Sequence, residues 1–273
     1  KNVFINNIQD KNLFLQKEIF MTVTRQNGSL STSIQNNIAT IAFGHPASNS
    51  LPSELLERLT KELISVGNNN SVAIIILQSE GEKTFCAGAS FDELVSVSNL
   101  EEGKQFFSGF ANVMNAMRTC GKLIIGRVQG KTVGGGVGLV AACDYVLATE
   151  NASIKLSELT IGIGPFVIEP AVKRKIGISG VSELTLDATQ WKTAYWAKDN
   201  GLYAKVYETK NDLDDAVEIF SETLASYNPE ALTEIKKIIW QGTENWNDLL
   251  SERAAISGEL VLSEFTKKAL LKF

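Results

Sequence analysis

A cluster of glycines and one carboxylate form the part of this sequence best suited to chemistry. Three consecutive glycines, Gly134–Gly136, precede a run of small residues that predicts a helix, and Glu158 follows after the next predicted strand. Glycines at the start of a helix let a ligand approach the backbone closely, and the free N–H groups and the helix dipole favour negative charge there. A single acid facing such a cluster predicts a proton-transfer site.

Three other interpretations of these glycines compete. Residues 126–132 (GRVQGKT) resemble a phosphate-binding loop, but that motif needs four residues between its glycines and this stretch has three. Residues 136–141 (GVGLVA) match the loose dinucleotide fingerprint, with Glu158 where a ribose-binding acid would stand. Six residues separate the preceding strand from Gly135, too many for the tight turn of that fingerprint, so a dinucleotide-binding oxidoreductase ranks last. The third interpretation is close packing alone.

A second motif upstream changes the balance between these interpretations. Residues 84–91 (TFCAGASF) contain an Ala-Gly-Ala turn after a predicted strand, and the triplets at 134–136 (GGG) and 142–144 (ACD) follow in order. Together these motifs resemble the crotonase (enoyl-CoA hydratase/isomerase) superfamily over roughly residues 22–270. The resemblance implies an α/β fold, a crotonase-like spiral of ββα repeats with a C-terminal helical segment.

The resemblance also implies a site for an acyl-CoA thioester. The N–H groups of Ala89 and Gly135 would converge on the thioester oxygen, where negative charge develops as an enolate forms. Glu158 falls on a family glutamate and would carry the proton. Coenzyme A is part of the substrate, so no separate cofactor and no metal are expected. The residues implied to bind or act on the substrate are Ala87, Gly88, Ala89, Gly134, Gly135, Glu158, Leu159, Pro165 and Phe166.

The sequence departs from the family at one informative position. Two-acid hydratases have a glutamate where this chain has Gly138, which leaves Glu158 as the single family acid. Two carboxylates divide the work of hydration, whereas moving a double bond from C3 to C2 needs one base that takes a proton from C2 and returns it at C4. Residues 162–166 (GIGPF) also resemble the corresponding stretch of single-glutamate isomerases. We therefore predict isomerisation of 3-enoyl-CoA to 2-enoyl-CoA.

Several alternatives stay open. Hydration with Glu158 alone, decarboxylation and other enolate reactions would use the same site, and a non-catalytic acyl-CoA-binding subunit would use it without chemistry. An ion pair with Lys155 or Lys173 would instead make Glu158 a surface acid. Glu169 is a lesser candidate, expected to precede or cap the next helix, and Asp92 is a candidate for the mouth of the site.

The chain divides into three predicted parts. Residues 1–20 are an N-terminal extension outside the family core, without an assigned function. Residues 21–210 form the spiral core, and residues 211–273 form a helical segment that covers the acyl site and, by the resemblance, builds a homotrimer or hexamer. Apolar runs predict strands at 72–77, 123–128 and 145–148, and periodicity predicts helical residues at 100–119, 170–206 (helix, then turn), 213–226, 229–240 and 246–270.

Composition excludes several classes of protein. The 273 residues carry a net charge of −5, which argues against a nucleic-acid surface. Three cysteines and one histidine, His45, share no metal-ligand spacing, and Cys86 is expected to be a small buried hydrophobic residue. No apolar run reaches the ~18 residues of a membrane span. The expectation is a cytoplasmic protein that binds neither membrane nor nucleic acid.

Overall fold

The structure, a computed structural model, describes residues 27–272. The predicted extension at residues 1–20 and the first residues of the predicted core lie outside this range. The strands of the described chain are β1 (Ser29–Gln35), β2 (Ile38–Gly44), β3 (Ile74–Ser79), β4 (Thr84–Cys86), β5 (Leu123–Val128), β6 (Lys131–Val133), β7 (Tyr145–Thr149), β8 (Ile154–Lys155) and β9 (Lys205–Tyr207).

These strands form two interleaved sheets. The larger has six strands in the order β1-β2-β3-β5-β7-β9, and the smaller has three in the order β4-β6-β8. Apart from the antiparallel pair β1–β2, neighbouring strands are parallel. Three times along the chain, a strand of the large sheet is followed directly by a strand of the small sheet: β3 by β4, β5 by β6, and β7 by β8. The chain therefore winds as a spiral. This is the predicted fold class.

The small sheet also excludes two interpretations of the glycines. Strand β6 lies between β5 and Gly135, within the six residues whose number argued against a dinucleotide fingerprint. The dinucleotide fingerprint belongs to a βαβ unit whose two strands lie in one parallel sheet. Here the helix that begins at Gly135 leads from β6 of the small sheet to β7 of the large sheet, so that unit is not formed. Gly126, the first glycine of the phosphate-loop interpretation, lies within β5 and not in a loop.

Helices follow most of the strands. They are α1 (Ser53–Gly67), α2 (Phe91–Ser96), α3 (Leu100–Thr119), α4 (Gly135–Ala142), α5 (Glu169–Leu186), α6 (Ala194–Asp199), α7 (Lys210–Ala225), α8 (Pro229–Ile239), α9 (Trp246–Leu260) and α10 (Glu264–Leu270). The helix predicted over 100–119 is confirmed. The single helix predicted over 246–270 is wrong, because the chain turns after Leu260 and Ser263 caps a new helix by accepting a hydrogen bond from the Thr266 N–H at 3.2 Å.

The central strands β3 and β5 of the large sheet are buried on both faces, as their apolar sequences predict. In β3, Ile75 and Leu77 face the main core with α1, α3 and α4, while Ile74 and Ile76 face α7 and α8. Successive side chains of a strand point to opposite faces, so a continuous apolar run requires a covered sheet. The main core therefore lies between the sheet and the helices that carry the site.

The helix α8 is held to this core by a buried ion pair. Asp144, at the end of the ACD motif, accepts hydrogen bonds from the Ile124 N–H (2.7 Å), Lys236 Nζ (2.6 Å) and Trp240 Nε1 (2.7 Å). The side chains of Asp144 and Lys236 are each 3 % exposed. A buried carboxylate with several donors satisfies its hydrogen-bonding capacity without water, so this aspartate anchors the end of α8 to the core.

Candidate active site

Two loops meet at the carboxyl ends of β4 and β6. The turn after β4 is held by two backbone hydrogen bonds, Leu51 N–H to the Gly88 carbonyl (2.8 Å) and Ala87 N–H to the Ser48 carbonyl (3.2 Å). Gly88 has φ +88°, which favours glycine. A Cβ at Gly88 would lie 3.5 Å from the Gly135 nitrogen, so the two loops are in contact.

The two N–H groups expected to bind a thioester oxygen are available here. No hydrogen bond within residues 27–272 uses the N–H of Ala89 or of Gly135. Gly135 begins α4, and the first N–H groups of a helix have no partner inside it. Gly134, with φ +54°, turns the chain into this helix, and its own N–H donates to the Lys155 carbonyl at 3.0 Å. The backbone thus presents free donors beside each other.

Glu158 lies directly over these glycines. It begins a 3-10 helix (Glu158–Ile161) after β8, and a Cβ at Gly134 would lie 3.1 Å from its Oε1. Its Oε2 is buried and has no hydrogen-bond partner among the described residues. Burial raises the pKa of this carboxyl to about 7, although the backbone N–H groups of Ser157 and Glu158 act in the opposite direction. A carboxyl with this pKa can take up and release a proton near neutral pH.

The surface ion pair that was an alternative for Glu158 is not formed. Lys173 lies 3.9 Å from Glu169, and the Lys155 ammonium lies 5.6 Å from the centre of the Trp191 ring. Both lysines expected as partners of Glu158 therefore have other neighbours. Glu169 begins α5, as expected, and is absent from the cavity wall.

Glu158 and the two loops line a cavity of about 180 Å³. Among the described residues that line it, Glu158 is the only one with a titratable side chain. The wall contains all the predicted substrate-binding residues except Leu159, whose side chain is 41 % exposed because the 3-10 helix turns it outward. The apolar stripe of the predicted helix 100–119, expected to form core and acyl-pocket wall, contributes Phe106, Phe107 and Phe110 to this wall. The remaining lining residues, outside the predicted binding set, are Phe91, Leu94, Val133, Ser157, Ile161, Ile163, Gly164, Val167, Ile168 and Ser257.

The position of the missing second acid is filled by apolar atoms. Gly138 is buried in α4, and a Cβ there would lie 2.7 Å from the Ile168 Cβ and 3.4 Å from the Met114 sulfur. Ile168 itself lines the cavity. A glutamate at position 138 therefore has no room while Ile168 holds its place, and the surroundings of Glu158 on this side are aliphatic.

Gly135 is constrained in the same way by an aromatic ring. A Cβ at this position would lie 2.5 Å from Phe110 Cε1. Phe110, on α3, is 5 % exposed and lines the cavity. The ring packs against the backbone that carries the free N–H, so the donor stands beside an apolar wall that excludes water, where hydrogen bonds to developing charge are stronger.

Two further groups near the motif, Cys86 and Asp92, do not line the cavity. Cys86 is fully buried, and burial raises the pKa of its thiol to about 12, which leaves no thiolate for nucleophilic chemistry. Asp92, the candidate for the mouth of the site, is exposed in the first turn of α2 and does not line the cavity.

The raised pKa of Glu158 predicts a pH-dependent stability. Because the folded protein holds a proton that the unfolded chain releases, the stability associated with this proton is fully present below pH 4.5 and is lost as pH rises to about 7. We expect Glu158→Gln to be more stable than the parent above pH about 7, and this advantage to shrink toward pH 4.5. Urea unfolding of both proteins across this range measures it, and a difference that stays constant with pH would contradict the expected burial of the charge.

Interleaved sheets wound as ββα turns, with free backbone donors from two successive turns facing one acid, define the class of crotonase-fold proteins. The sequence profile of the enoyl-CoA hydratase/isomerase family matches residues 33–269. The chain belongs to this family of enzymes, and the superfamily predicted from the sequence motifs is confirmed.

The relatives of this chain include both isomerases and hydratases. The chain is 28 % identical over 211 residues to the peroxisomal Delta(3,5)-Delta(2,4)-dienoyl-CoA isomerase of Arabidopsis thaliana. The matched region covers 72 % of this chain and 74 % of the relative. It is also 28 % identical over 242 residues to a short-chain-enoyl-CoA hydratase of Clostridium acetobutylicum, and this matched region covers 88 % of the chain and 92 % of the relative. Isomerases and hydratases are thus similar to this chain at equal identity.

Solved structures confirm the fold. The crystal structure of an enoyl-CoA hydratase from Bacillus halodurans superimposes with a TM-score of 0.83, covering 89 % of this chain and 99 % of that chain at 23 % identity. Within residues 27–272, no group of three or more His, Cys, Asp or Glu side chains is placed to hold a metal ion. None of the helices in that range has the length and apolarity needed to cross a bilayer.

Proposed function

We propose that the protein converts 3-enoyl-CoA thioesters into 2-enoyl-CoA thioesters through an enolate, with Glu158 as the proton carrier. The observation that carries this proposal is the wall of the cavity. Its one titratable side chain among the described residues is Glu158, and the place of a second acid is occupied by Ile168. One base in an apolar cavity is sufficient for a double-bond shift, whereas hydration is better served by two carboxylates.

The thioester oxygen is held by the two free backbone donors. The N–H groups of Ala89 and Gly135 face it, and the positive end of the α4 dipole adds to their field. Negative charge grows on this oxygen as the enolate forms, so donors that are already in position stabilise the transition state more than the ground state. Each such donor typically contributes about 3–4 kcal/mol.

The proton moves between two carbons of the same substrate. The ionised Glu158 carboxylate removes a proton from C2, and the electrons of that C–H bond move to the thioester carbonyl to give the enolate. The carboxylic acid then returns the proton to C4, the C3–C4 double bond becomes C2–C3, and the carboxylate is regenerated. Burial of Glu158 supports both proton transfers, because a pKa of about 7 allows the carboxylate to act as the base at C2 and the carboxylic acid to act as the acid at C4.

A direct assay tests this function. Purified protein is given a 3-enoyl-CoA or a 2-enoyl-CoA, and the absorbance of the conjugated 2-enoyl thioester is followed. We expect absorbance to appear from the 3-enoyl substrate, and both substrates to reach the same end point, because the proton transfer is reversible. Loss of absorbance from the 2-enoyl substrate beyond this end point would show hydration and contradict the single-acid mechanism. Binding without turnover of any enoyl-CoA would instead indicate a non-catalytic acyl-CoA-binding subunit.

We further propose that the protein assembles as a homotrimer or hexamer. The support is the helical segment, in which α8 exposes Ile235 and Ile238 at 47 % and 58 %. Large exposed apolar side chains in a helical face are typical of an association surface. Light scattering should give a mass three or six times the 29.8 kDa of one chain, and a monomer at micromolar concentration would contradict the assembly.

A further inference from the structure

The cavity wall contains a hydroxyl group that the double-bond shift does not use. Ser257 lies on α9, in the C-terminal helical segment, and lines the cavity although it is distant in sequence from the other lining residues. It is 1 % exposed. Its Oγ has no hydrogen-bond partner within residues 27–272 and opens onto the cavity, since it is not one of the sealed unpaired polar atoms of that range. The second hydroxyl of the wall, on Ser157, belongs to a partly exposed residue that water can reach.

A close helix crossing holds Ser257 at this place. Where α9 crosses α3, a Cβ at Gly258 would lie 2.6 Å from the Lys104 nitrogen, and a Cβ at Gly103 would lie 2.8 Å from the Gly258 Cα. The two backbones are therefore in contact at this point, and a side chain on either glycine would push the helices apart. Ser257, next to Gly258, has little freedom to move out of the wall.

A hydroxyl without a protein partner in an apolar wall is available to a ligand. When a ligand displaces water from the cavity, a hydroxyl that it leaves without a partner costs about 1–3 kcal/mol. Neighbouring wall residues such as Phe106, Phe110 and Ile163 offer no polar side chain. A site with such a group favours substrates that hydrogen-bond it over analogues that lack the matching atom.

We propose that Ser257 recognises an uncharged oxygen on the acyl chain of the substrate, beyond the reacting carbons. This inference rests on the proposed function, because it takes the cavity to hold an acyl-CoA thioester. The favoured substrates are enoyl thioesters with a keto or hydroxyl group in the chain. Ser257 is a specificity-determining residue that can donate to a keto oxygen and either donate to or accept from a hydroxyl group.

The charge of the cavity selects a neutral oxygen. No lysine, arginine or histidine occurs among the described residues of the wall, and its one charge-bearing side chain is Glu158. A carboxylate on the acyl chain would lose its hydration without gaining a counter-ion and would be repelled by the ionised Glu158. Acyl groups ending in a carboxylate are therefore excluded by the same wall that accepts a keto group.

Binding of unreactive ligands tests this assignment independently of turnover. Calorimetry would compare a saturated acyl-CoA with analogues that carry one keto group at successive carbons, and with an analogue that ends in a carboxylate. We expect one keto analogue to bind about tenfold more tightly than the plain chain, the effect of one hydrogen bond made in a buried site. The carboxylate analogue should bind more weakly than both.

Two serine variants complete the test. Ser257→Ala should bind plain and keto ligands equally, whereas Ser251→Ala, on the same helix and outside the cavity wall, should keep the tenfold preference. A parent protein without a preference, or a preference that survives Ser257→Ala, would overturn the assignment and leave the proposed isomerisation untouched. Failure of every acyl-CoA to bind would overturn both proposals.

Discussion

Replacing Glu158 by glutamine should lower kcat on a 3-enoyl-CoA by about 10³-fold, within the range typical of general acid–base catalysis. Glutamine keeps the volume of the side chain over Gly134, but its amide cannot take the C2 proton. The free N–H groups of Ala89 and Gly135 stay in place, so KM should change little. Initial rates at saturating and limiting substrate separate the two effects, because a loss confined to kcat marks an interaction made in the transition state.

The matched control is Glu169→Gln. This acid is also close to the loop that forms the cavity, but it lies 3.9 Å from Lys173 and is absent from the wall. Its substitution should leave kcat within about twofold, because Glu169 does not line the cavity and substitutions away from buried or functional groups usually have small effects. In the parent protein, kcat/KM should rise with pH and level off above about 7, as the free Glu158 ionises. Equal losses in both variants, or a pH profile without this rise, would contradict the assigned base.

Removing the Asp144 carboxylate should be the most destabilising single change outside the site. Asp144→Ala leaves the Lys236 ammonium, 3 % exposed, without its counter-ion, and it also removes the acceptor of the Trp240 Nε1 hydrogen bond. Breaking one side of a buried ion pair costs about 3–5 kcal/mol. Urea unfolding at matched protein concentration should show this loss in the free energy of unfolding.

An exposed ion pair provides the comparison. Glu57 and Lys61 lie 2.5 Å apart on α1, with side chains 63 % and 73 % exposed. Surface pairs of this type contribute little because water screens them, so Glu57→Ala should unfold at the same urea concentration as the parent. If Asp144→Ala behaved like Glu57→Ala, the buried pair would not anchor α8 to the core.

Local patterns were sufficient to predict the parts of the fold that depend on periodicity. The apolar run 123–128 predicted a buried strand and the apolar stripe over 100–119 predicted an amphipathic helix, and the structure confirms both. The spiral was not predicted from such patterns but was implied by the resemblance to the crotonase superfamily that the two glycine-containing motifs carry. Glu158 was identified from its place in a family motif. No local sequence pattern predicts that its carboxyl group is buried or that its Oε2 has no hydrogen-bond partner among the described residues, as the structure shows.

Other features depend on contacts between distant segments, so the sequence did not predict them. The resemblance implied Leu159 as a substrate-binding residue, but the chain enters a 3-10 helix there and Leu159 is 41 % exposed. Gly177, with φ +68°, interrupts α5 in a stretch predicted to be regular helix. Ser257 carries no local signal, because a serine on an amphipathic helix is ordinary until the helix crossing places it in a cavity.

The contact of α9 and α10 with the core has a consequence for the newly made chain. During synthesis, Ala89, Gly135 and Glu158 leave the ribosome well before the two C-terminal helices do. Gly258, in the first of these helices, contacts the backbone of α3, and Thr266, in the second, packs against Gly162 at the end of the 3-10 helix. A nascent chain can wind the spiral while its proton carrier still faces water, where the pKa of Glu158 would lie near the ordinary value of 4.5. The proposed site is therefore complete only after the C-terminal helices have been made and Gly258 has packed against Gly103.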